Sequence, residues 1–202
     1  MPPYISIGGY SDQPRIPHFS IEVDRGELVA VVGGPGSGKS NLIKSIAGIR
    51  ASATGSIRIM GARPGSIRAK ERAVFVFQNS NFAPDLSVKT QLERRIALYR
   101  GVPPASVQRD LTNWCEEMDL VEPAGLLPRQ MNRSQLQMLT LAPLALSEPL
   151  VIILDEPMSN MSSLGVSSAL SIIISSLERA SVLVFVQNKS PLAKRADRAV
   201  NL

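Results

Sequence analysis

Short runs of consecutive apolar residues alternate with stretches of helical spacing over much of the chain. Such runs are typical of strands buried on both faces. They lie at Glu27–Val32, Ala73–Phe77, Leu150–Leu154 and Val182–Val186. Helical spacing is found at Asn41–Ala47, at about Leu164–Glu178 and from Pro191 onwards. Strands that alternate with helices in this way predict an α/β fold whose sheet is mostly parallel.

Two other regions depart from this alternation. Near the N-terminus, Tyr4–Tyr10 and Phe19–Val23 alternate apolar and polar residues, which predicts an antiparallel β portion. In the middle of the chain, about 85–146, the spacing is helical and no strand-like run occurs. We therefore predict a single domain over 1–202, with a small helical subdomain inserted in the α/β core.

Composition narrows the class of protein. The 202 residues are 44% hydrophobic and 19% charged, as in globular proteins, and no window reaches the roughly 18 apolar residues of a membrane span. The N-terminus lacks the features of a signal peptide and Cys115 is the single cysteine, so we expect a cytoplasmic protein. The net charge of +5 has its densest cluster at Arg63–Arg72, and aromatic residues make up only 4%. This combination does not favour a nucleic-acid partner.

The strongest candidate site is a glycine-rich segment between a predicted strand and a predicted helix. Gly33–Ser40 reads GGPGSGKS, which is a complete GxxxxGK[ST] phosphate-binding loop. Glycines let backbone N–H groups curl around an anion, and the following helix adds its positive end. Lys39 would bridge the β- and γ-phosphates, and the Ser40 hydroxyl would bind Mg²⁺. The predicted nucleotide-binding residues here are Gly33, Gly34, Pro35, Gly36, Ser37, Gly38, Lys39, Ser40 and Asn41.

A second candidate site lies where another buried strand ends. Val151–Leu154 is followed directly by Asp155 and Glu156. Ligands of α/β sheets bind at the carboxyl ends of the strands, so these carboxylates would face the phosphate loop. Asp155 would hold Mg²⁺, directly or through water, and Glu156 would polarise an attacking water.

Taken together, these residues resemble the nucleotide-binding subunit of an ABC transporter, and the resemblance covers essentially the whole chain. It implies that Tyr10 packs against the adenine of ATP and that Gln78 contacts Mg²⁺ in a glutamine loop. It also implies that Asp155-Glu156-Pro157 is the second Walker motif, with Glu156 as the catalytic residue. The tail, Ala196–Val200, resembles the Asp-Arg strand that follows the family's switch region.

The chain departs from this family at the signature motif. A Leu-Ser-Gly-Gly-Gln sequence normally opens the helix that caps the γ-phosphate of ATP bound to the opposite subunit. Met131–Gln135 stands in its place, with Arg133 and Ser134 where the family has glycines. A long side chain would obstruct the approach unless Arg133 itself contacts the phosphate. Asn132 retains the ability to cap the helix.

Two more family positions are altered. The loop after Asp-Glu-Pro normally ends in aspartate, whereas here it ends in Ser162. The switch histidine is replaced by Gln187, which can donate a hydrogen bond to a γ-phosphate but carries no proton at neutral pH. These departures predict slow hydrolysis.

Three functions follow from the resemblance and its departures. We favour an ATPase subunit of a membrane transporter, of the exporter type because of a loose likeness at Thr90–Pro104. The alternatives are a weakly hydrolysing regulatory partner of a regular subunit and, less favoured, another phosphate-loop enzyme such as a small-molecule kinase.

The cofactors would be ATP and Mg²⁺. The expected partners are a membrane subunit, on its cytoplasmic face, and a second ATPase subunit, a heterodimer being favoured over a homodimer.

Overall fold

The computed structural model describes residues 2–11, 18–51, 54–79 and 82–202. The chain divides into two compact units, which we describe separately. The first unit is made of Met1–Phe75, Pro149–Glu156 and Leu177–Leu202, and the second is made of Val76–Glu148 and Pro157–Ser176.

The first unit contains an antiparallel sheet built from early parts of the chain. Its strands are β1 (Ile5–Ser11), β2 (Phe19–Val23) and β4 (Thr54–Ile59), in the order β2-β1-β4. Ile5 pairs with Val23 on one side and with Ile59 on the other. These three side chains are buried because alternate residues of each strand face the core.

The second sheet of this unit carries the predicted site. Its strands are β3 (Leu28–Val32), β5 (Ala73–Val76), β6 (Val151–Asp155), β7 (Ser181–Val186) and β8 (Arg198–Asn201). Their order in the sheet is β5-β6-β7-β3-β8, and the pairs β6/β7, β7/β3 and β3/β8 are parallel. Every residue of β3, β6 and β7 is buried, as their apolar runs predict. The helices of the unit are α1 (Lys39–Ile46), α2 (Ile67–Lys70) and α9 (Pro191–Arg195).

The second unit is helical. Its helices are α3 (Val88–Arg100), α4 (Gln108–Glu117), α5 (Val121–Gly125), α6 (Arg133–Leu139), α7 (Ala142–Leu146) and α8 (Ser163–Ser176), with 3-10 turns at Pro104–Val107 and Pro128–Gln130. Helix α3 contacts α4, α5 and α7, and α8 contacts α6 and α7. The core of the unit includes four fully buried side chains, Leu92, Ile96, Leu111 and Leu139.

The predicted fold class is confirmed: a mostly parallel sheet, an antiparallel β portion and helical packing are all present. Two details differ from the sequence-based expectation. Asp155 lies inside β6, paired with Phe185 of β7, rather than just beyond the strand. Helix α8 groups with the helical unit because it contacts α6 and α7. Its buried residues include Ala169 and Ile173.

Candidate nucleotide-binding site

The carboxyl ends of β3, β7 and β6 meet at one edge of the parallel sheet. The backbone N–H of Gly33 donates to the Val186 carbonyl at 3.2 Å, and that of Glu156 donates to the Phe185 carbonyl at 2.9 Å. The phosphate-binding loop, Gln187 and the two acidic residues therefore emerge from three adjacent strands. The structure thus brings together most of the site residues predicted in this unit.

The backbone of the loop needs glycine at two places. Gly36 has φ of 79° and Gly38 has φ of 96°, in the left-handed region that side chains rarely adopt. A Cβ added at either glycine would meet no atom within 4 Å, so conformation rather than crowding sets the requirement. Gly38 is also the N-cap residue that directly precedes α1, so the loop runs directly into a helix N-terminus.

Lys39 is held over the loop by its backbone carbonyls. The side chain is buried, and Nζ donates to the carbonyl oxygens of Gly33 and Gly34, the latter at 3.0 Å. Burial raises the pKa of both Asp155 and Glu156, and the positive charge of Lys39 opposes that rise, so Lys39 lies within electrostatic reach of both carboxyl groups. An ammonium group in this position fits the β/γ-phosphate role that the sequence predicts.

Burial dominates the electrostatics of the two carboxyl groups. Burial raises the pKa of Asp155, while the charges of Lys39 and Lys44 oppose the rise. The pKa of Glu156 is also raised by burial, with Lys39 opposing the rise and Asp155 adding to it. No sequence pattern indicates a part for Lys44, which is exposed on the last turn of α1.

Removing the Asp155 charge should stabilise the free protein. Because the pKa of this carboxyl is higher in the folded than in the unfolded chain, ionisation above that folded pKa costs stability. We expect Asp155→Asn to raise the melting temperature by a few degrees at pH 7 without nucleotide. The difference should narrow as the pH falls through the folded-state pKa and should be lost below the ordinary pKa of an aspartate. A melting temperature lowered at pH 7 would contradict this reading of the site.

The residues present fit a polyphosphate and Mg²⁺. Ser37 Oγ is buried and has no hydrogen-bond partner among the described residues, so an anion in the loop would supply an acceptor. The described part of the chain holds no cluster of three His, Cys, Asp or Glu that could cage a metal by itself. Mg²⁺ characteristically takes one or two carboxylates together with substrate phosphates and waters. The Asp155 carboxylate and the exposed Ser40 hydroxyl match that requirement.

Tyr10 does not offer an open ring to a nucleotide. It lies in β1 with 4% of its surface exposed, and its hydroxyl is 3.5 Å from Ser45 Oγ of α1. Stacking on adenine would require this ring to become uncovered. The adenine contact therefore stays a prediction, and the structure adds Ser45 as a neighbour that the sequence did not indicate.

Several of the predicted positions belong to the helical unit. Gln78 is exposed, two residues after the end of β5. At the altered signature, Asn132 Oδ1 accepts from the Gln135 N–H at 2.9 Å, and Gln135 Oε1 accepts from the Asn132 N–H at 3.1 Å. The predicted helix cap is confirmed, in the form of a capping box. Arg133 is the exposed first residue of α6.

Ser162 caps the N-terminus of α8. Its Oγ accepts from the Gly165 N–H at 3.2 Å, which satisfies one of the free donors of the first turn. Serine therefore retains the helix-capping capacity of the aspartate found here in the family, without the charge.

The comparisons with known proteins agree with this geometry. The ABC transporter family model matches residues 16–159. The chain is 29% identical over 153 residues to the sn-glycerol-3-phosphate import ATP-binding protein UgpC 1 of Rhizobium etli, covering 75% of this chain and 44% of that protein. It is 33% identical over 144 residues to the maltose/maltodextrin import ATP-binding protein MalK of Yersinia pestis, covering 71% and 39%. The chain thus spans less than half the length of these curated relatives.

Solved structures show the same fold. An ATP-binding subunit of an ABC transporter superposes with a TM-score of 0.84 at 24% identity, covering 98% of this chain and 85% of that one. The ATP-binding cassette MJ0796, in a dimeric post-hydrolysis state with ADP and Pi, gives 0.84 at 20% identity, covering 98% and 94%. The family match over most of the chain, the fold and the loop at one sheet edge lead to one conclusion: this chain belongs to the ABC transporter family and carries its nucleotide-binding domain.

Proposed function

We propose that the chain binds Mg-ATP at Gly33–Ser40 and hydrolyses it to drive a membrane transporter. The observation that carries the proposal is the position of Lys39, which is bonded to the loop carbonyls and lies within electrostatic reach of Asp155 and Glu156. A phosphate loop alone would support binding. A buried acidic pair beside it supports hydrolysis as well.

Each residue has a separate part in the proposed reaction. Lys39 contacts the β- and γ-phosphates, and Glu156 takes a proton from the attacking water. Because burial raises its pKa, Glu156 is a better base than an exposed glutamate would be. Ser40, Gln78 and Asp155 would hold Mg²⁺, which would neutralise charge that develops on the phosphates. Gln187 would donate a hydrogen bond to the γ-phosphate.

We further propose that turnover is low. Gln187 follows β7 at the same sheet edge as the loop and cannot exchange a proton at neutral pH. Arg133 adds bulk at the N-terminus of α6, where the family has glycine. A weakly hydrolysing regulatory subunit is the second candidate function, and these two substitutions are the observations that favour it.

The relatives favour a direction of transport opposite to the one that the sequence analysis predicts. The loose likeness at Thr90–Pro104 favours export, whereas UgpC 1 and MalK are both named as import proteins. We therefore propose an import-type transporter and set the exporter interpretation aside. The proposed partner is a membrane subunit, with this chain bound at its cytoplasmic face. No helix in the ranges that the structure describes has the length and apolar character to cross a bilayer.

We propose a second ATPase subunit as the other partner. MJ0796 is a dimer in its post-hydrolysis state, which supports a dimeric arrangement. Two copies of this chain would place Arg133 at both composite sites, whereas pairing with a regular subunit would place it at one. A heterodimer is therefore the arrangement that we favour. Recovery of this chain and one membrane protein alone, two copies each, from native membranes would contradict it.

Arg133→Gly should raise ATP turnover severalfold if the side chain obstructs closure of the dimer. The variant restores the small residue that the family uses at this position, and Asn132 keeps its capping bond, so the helix should stay folded. Phosphate release by the assembled transporter is the measurement. Arg129→Gly, at an exposed arginine of the same unit, is the matched control. A fall in turnover would mean that Arg133 contacts phosphate.

The function itself is tested by phosphate release from Mg-ATP, measured for the purified chain alone and with co-purified partners. We expect slow release that partners accelerate. Tight ATP binding with no release in either preparation would favour the regulatory subunit.

A further inference from the structure

The basic residues of the chain are concentrated in one segment of the first unit. Residues 44–72 contain seven basic residues against one acidic residue, Glu71, and so carry a net charge of +6. Because the whole chain carries +5, the remainder carries −1. The seven are Lys44, Arg50, Arg58, Arg63, Arg68, Lys70 and Arg72.

Two turns of this segment are in backbone contact. A Cβ added at Gly48 would lie 2.3 Å from the backbone nitrogen of Gly65, and Gly48 has φ of 72°. Only glycine allows this approach, which joins the turn after α1 to the turn before α2. Ile49 and Ile67 therefore lie on adjoining turns, and they are 66% and 76% exposed.

The helix that carries Ile67 is fixed in place. The hydroxyl of Ser66 accepts from the Ala69 N–H at 3.3 Å and donates to the Arg63 carbonyl at 2.7 Å. Ala69 is buried, which leaves Ile67 and Lys70, three residues apart, on the exposed side. The exposed isoleucine thus belongs to an anchored turn.

Exposed basic residues lie close to the two isoleucines along the chain. We define the isoleucine–basic patch as Ile49, Arg50, Arg63, Ile67, Arg68 and Lys70, all of which are exposed. Within the described residues, none of its four basic side chains is paired with a carboxylate. An ordinary charged surface needs no exposed isoleucines. This patch exposes two isoleucines together with unpaired cations, so it is an amphipathic surface.

We propose that the isoleucine–basic patch binds an anionic lipid surface. The arginines and lysine contact lipid phosphates, and the two isoleucines enter the headgroup region. Aliphatic rather than aromatic side chains at its centre favour lipid over a nucleic acid, which needs stacking platforms. The proposal needs neither ATP nor a protein partner, so its failure would leave the proposed ATPase function untouched.

The first experiment is co-sedimentation of the full chain with vesicles of phosphatidylglycerol, compared with vesicles of phosphatidylcholine. We expect binding to the anionic vesicles only, weakening with salt. Arg68→Glu/Lys70→Glu should weaken it at least about tenfold, since each cation near the surface contributes severalfold. The control is Lys194→Glu/Arg195→Glu, which makes the same charge change at an exposed pair of α9. Equal loss in both variants, or no vesicle binding by the unchanged chain, overturns the proposal.

A fluorescent probe tests which surface meets the lipid. The single native tryptophan, Trp114, is buried with 5% of its surface exposed, so a tryptophan added at the surface can be followed separately. Brominated phosphatidylglycerol should quench the fluorescence of the tryptophan introduced by Ile67→Trp. Leu98→Trp, at a position that is 78% exposed in the helical unit, should not be quenched. Quenching at position 98 without quenching at position 67 contradicts the assignment. Binding of the chain to an acidic polypeptide but not to the anionic vesicles also contradicts it.

Discussion

Replacing Glu156 with glutamine is expected to lower ATP turnover by roughly 10²–10⁴-fold, the usual contribution of a general base. Glutamine keeps the size of the side chain but cannot accept the proton of the attacking water. Glu156 leaves β6 with φ of 45°, a left-handed conformation that glutamine must also adopt, so the backbone is unchanged by the substitution. ATP affinity should be retained, because the phosphate contacts come from Gly33–Ser40.

The measurement is phosphate release under saturating Mg-ATP, with ATP binding followed by calorimetry. Glu178→Gln is the matched control, because it makes the same chemical change at an exposed residue after α8. Equal turnover in the unchanged chain and in Glu156→Gln would show that this acid is not the catalytic base. The regulatory function would then be favoured.

The second large effect is expected at Lys39. Lys39→Ala should lower the affinity for Mg-ATP at least tenfold, since a charge-assisted contact of about 1.5–3 kcal/mol is lost. The same change removes the cation that lowers the pKa of Asp155 and Glu156, so both pKa values should rise further. Two independent readouts therefore follow from one substitution.

Calorimetry checks the affinity, and thermal unfolding shows whether the loop survives the loss of the bonds to Gly33 and Gly34. Lys194→Ala, at an exposed lysine of α9, should bind ATP as the unchanged chain does. An unchanged affinity in Lys39→Ala would mean that the nucleotide binds elsewhere.

The sequence predicts the phosphate loop and its surroundings well because both depend on local patterns. The run Glu27–Val32, the glycines of the loop and the apolar face of α1 are contiguous, so each can be recognised without long-range information. The cap at Asn132 is equally local, since the side chain and the N–H that it accepts from are three residues apart. Adjacent parallel strands then place Asp155 near the loop by a general rule of such sheets.

Other features depend on contacts between distant parts of the chain. The burial of Tyr10 follows from its position in β1 and its contact with Ser45, 35 residues later, which no local pattern reports. Helix α8 has helical spacing, but the spacing does not say that it packs on α6 and α7. The contact of Gly48 with Gly65 likewise joins two turns that lie apart in the sequence.

The central claim is that the Gly33–Ser40 loop holds the phosphates of ATP, and amide hydrogen exchange with and without Mg-ATP tests it most directly. Backbone N–H groups that donate to phosphate oxygens exchange more slowly. We predict that Mg-ATP increases protection in the peptide spanning Gly34–Ser40, and that the increase is lost in Lys39→Ala. Binding of ATP by the unchanged chain with no added protection in this peptide would contradict the claim.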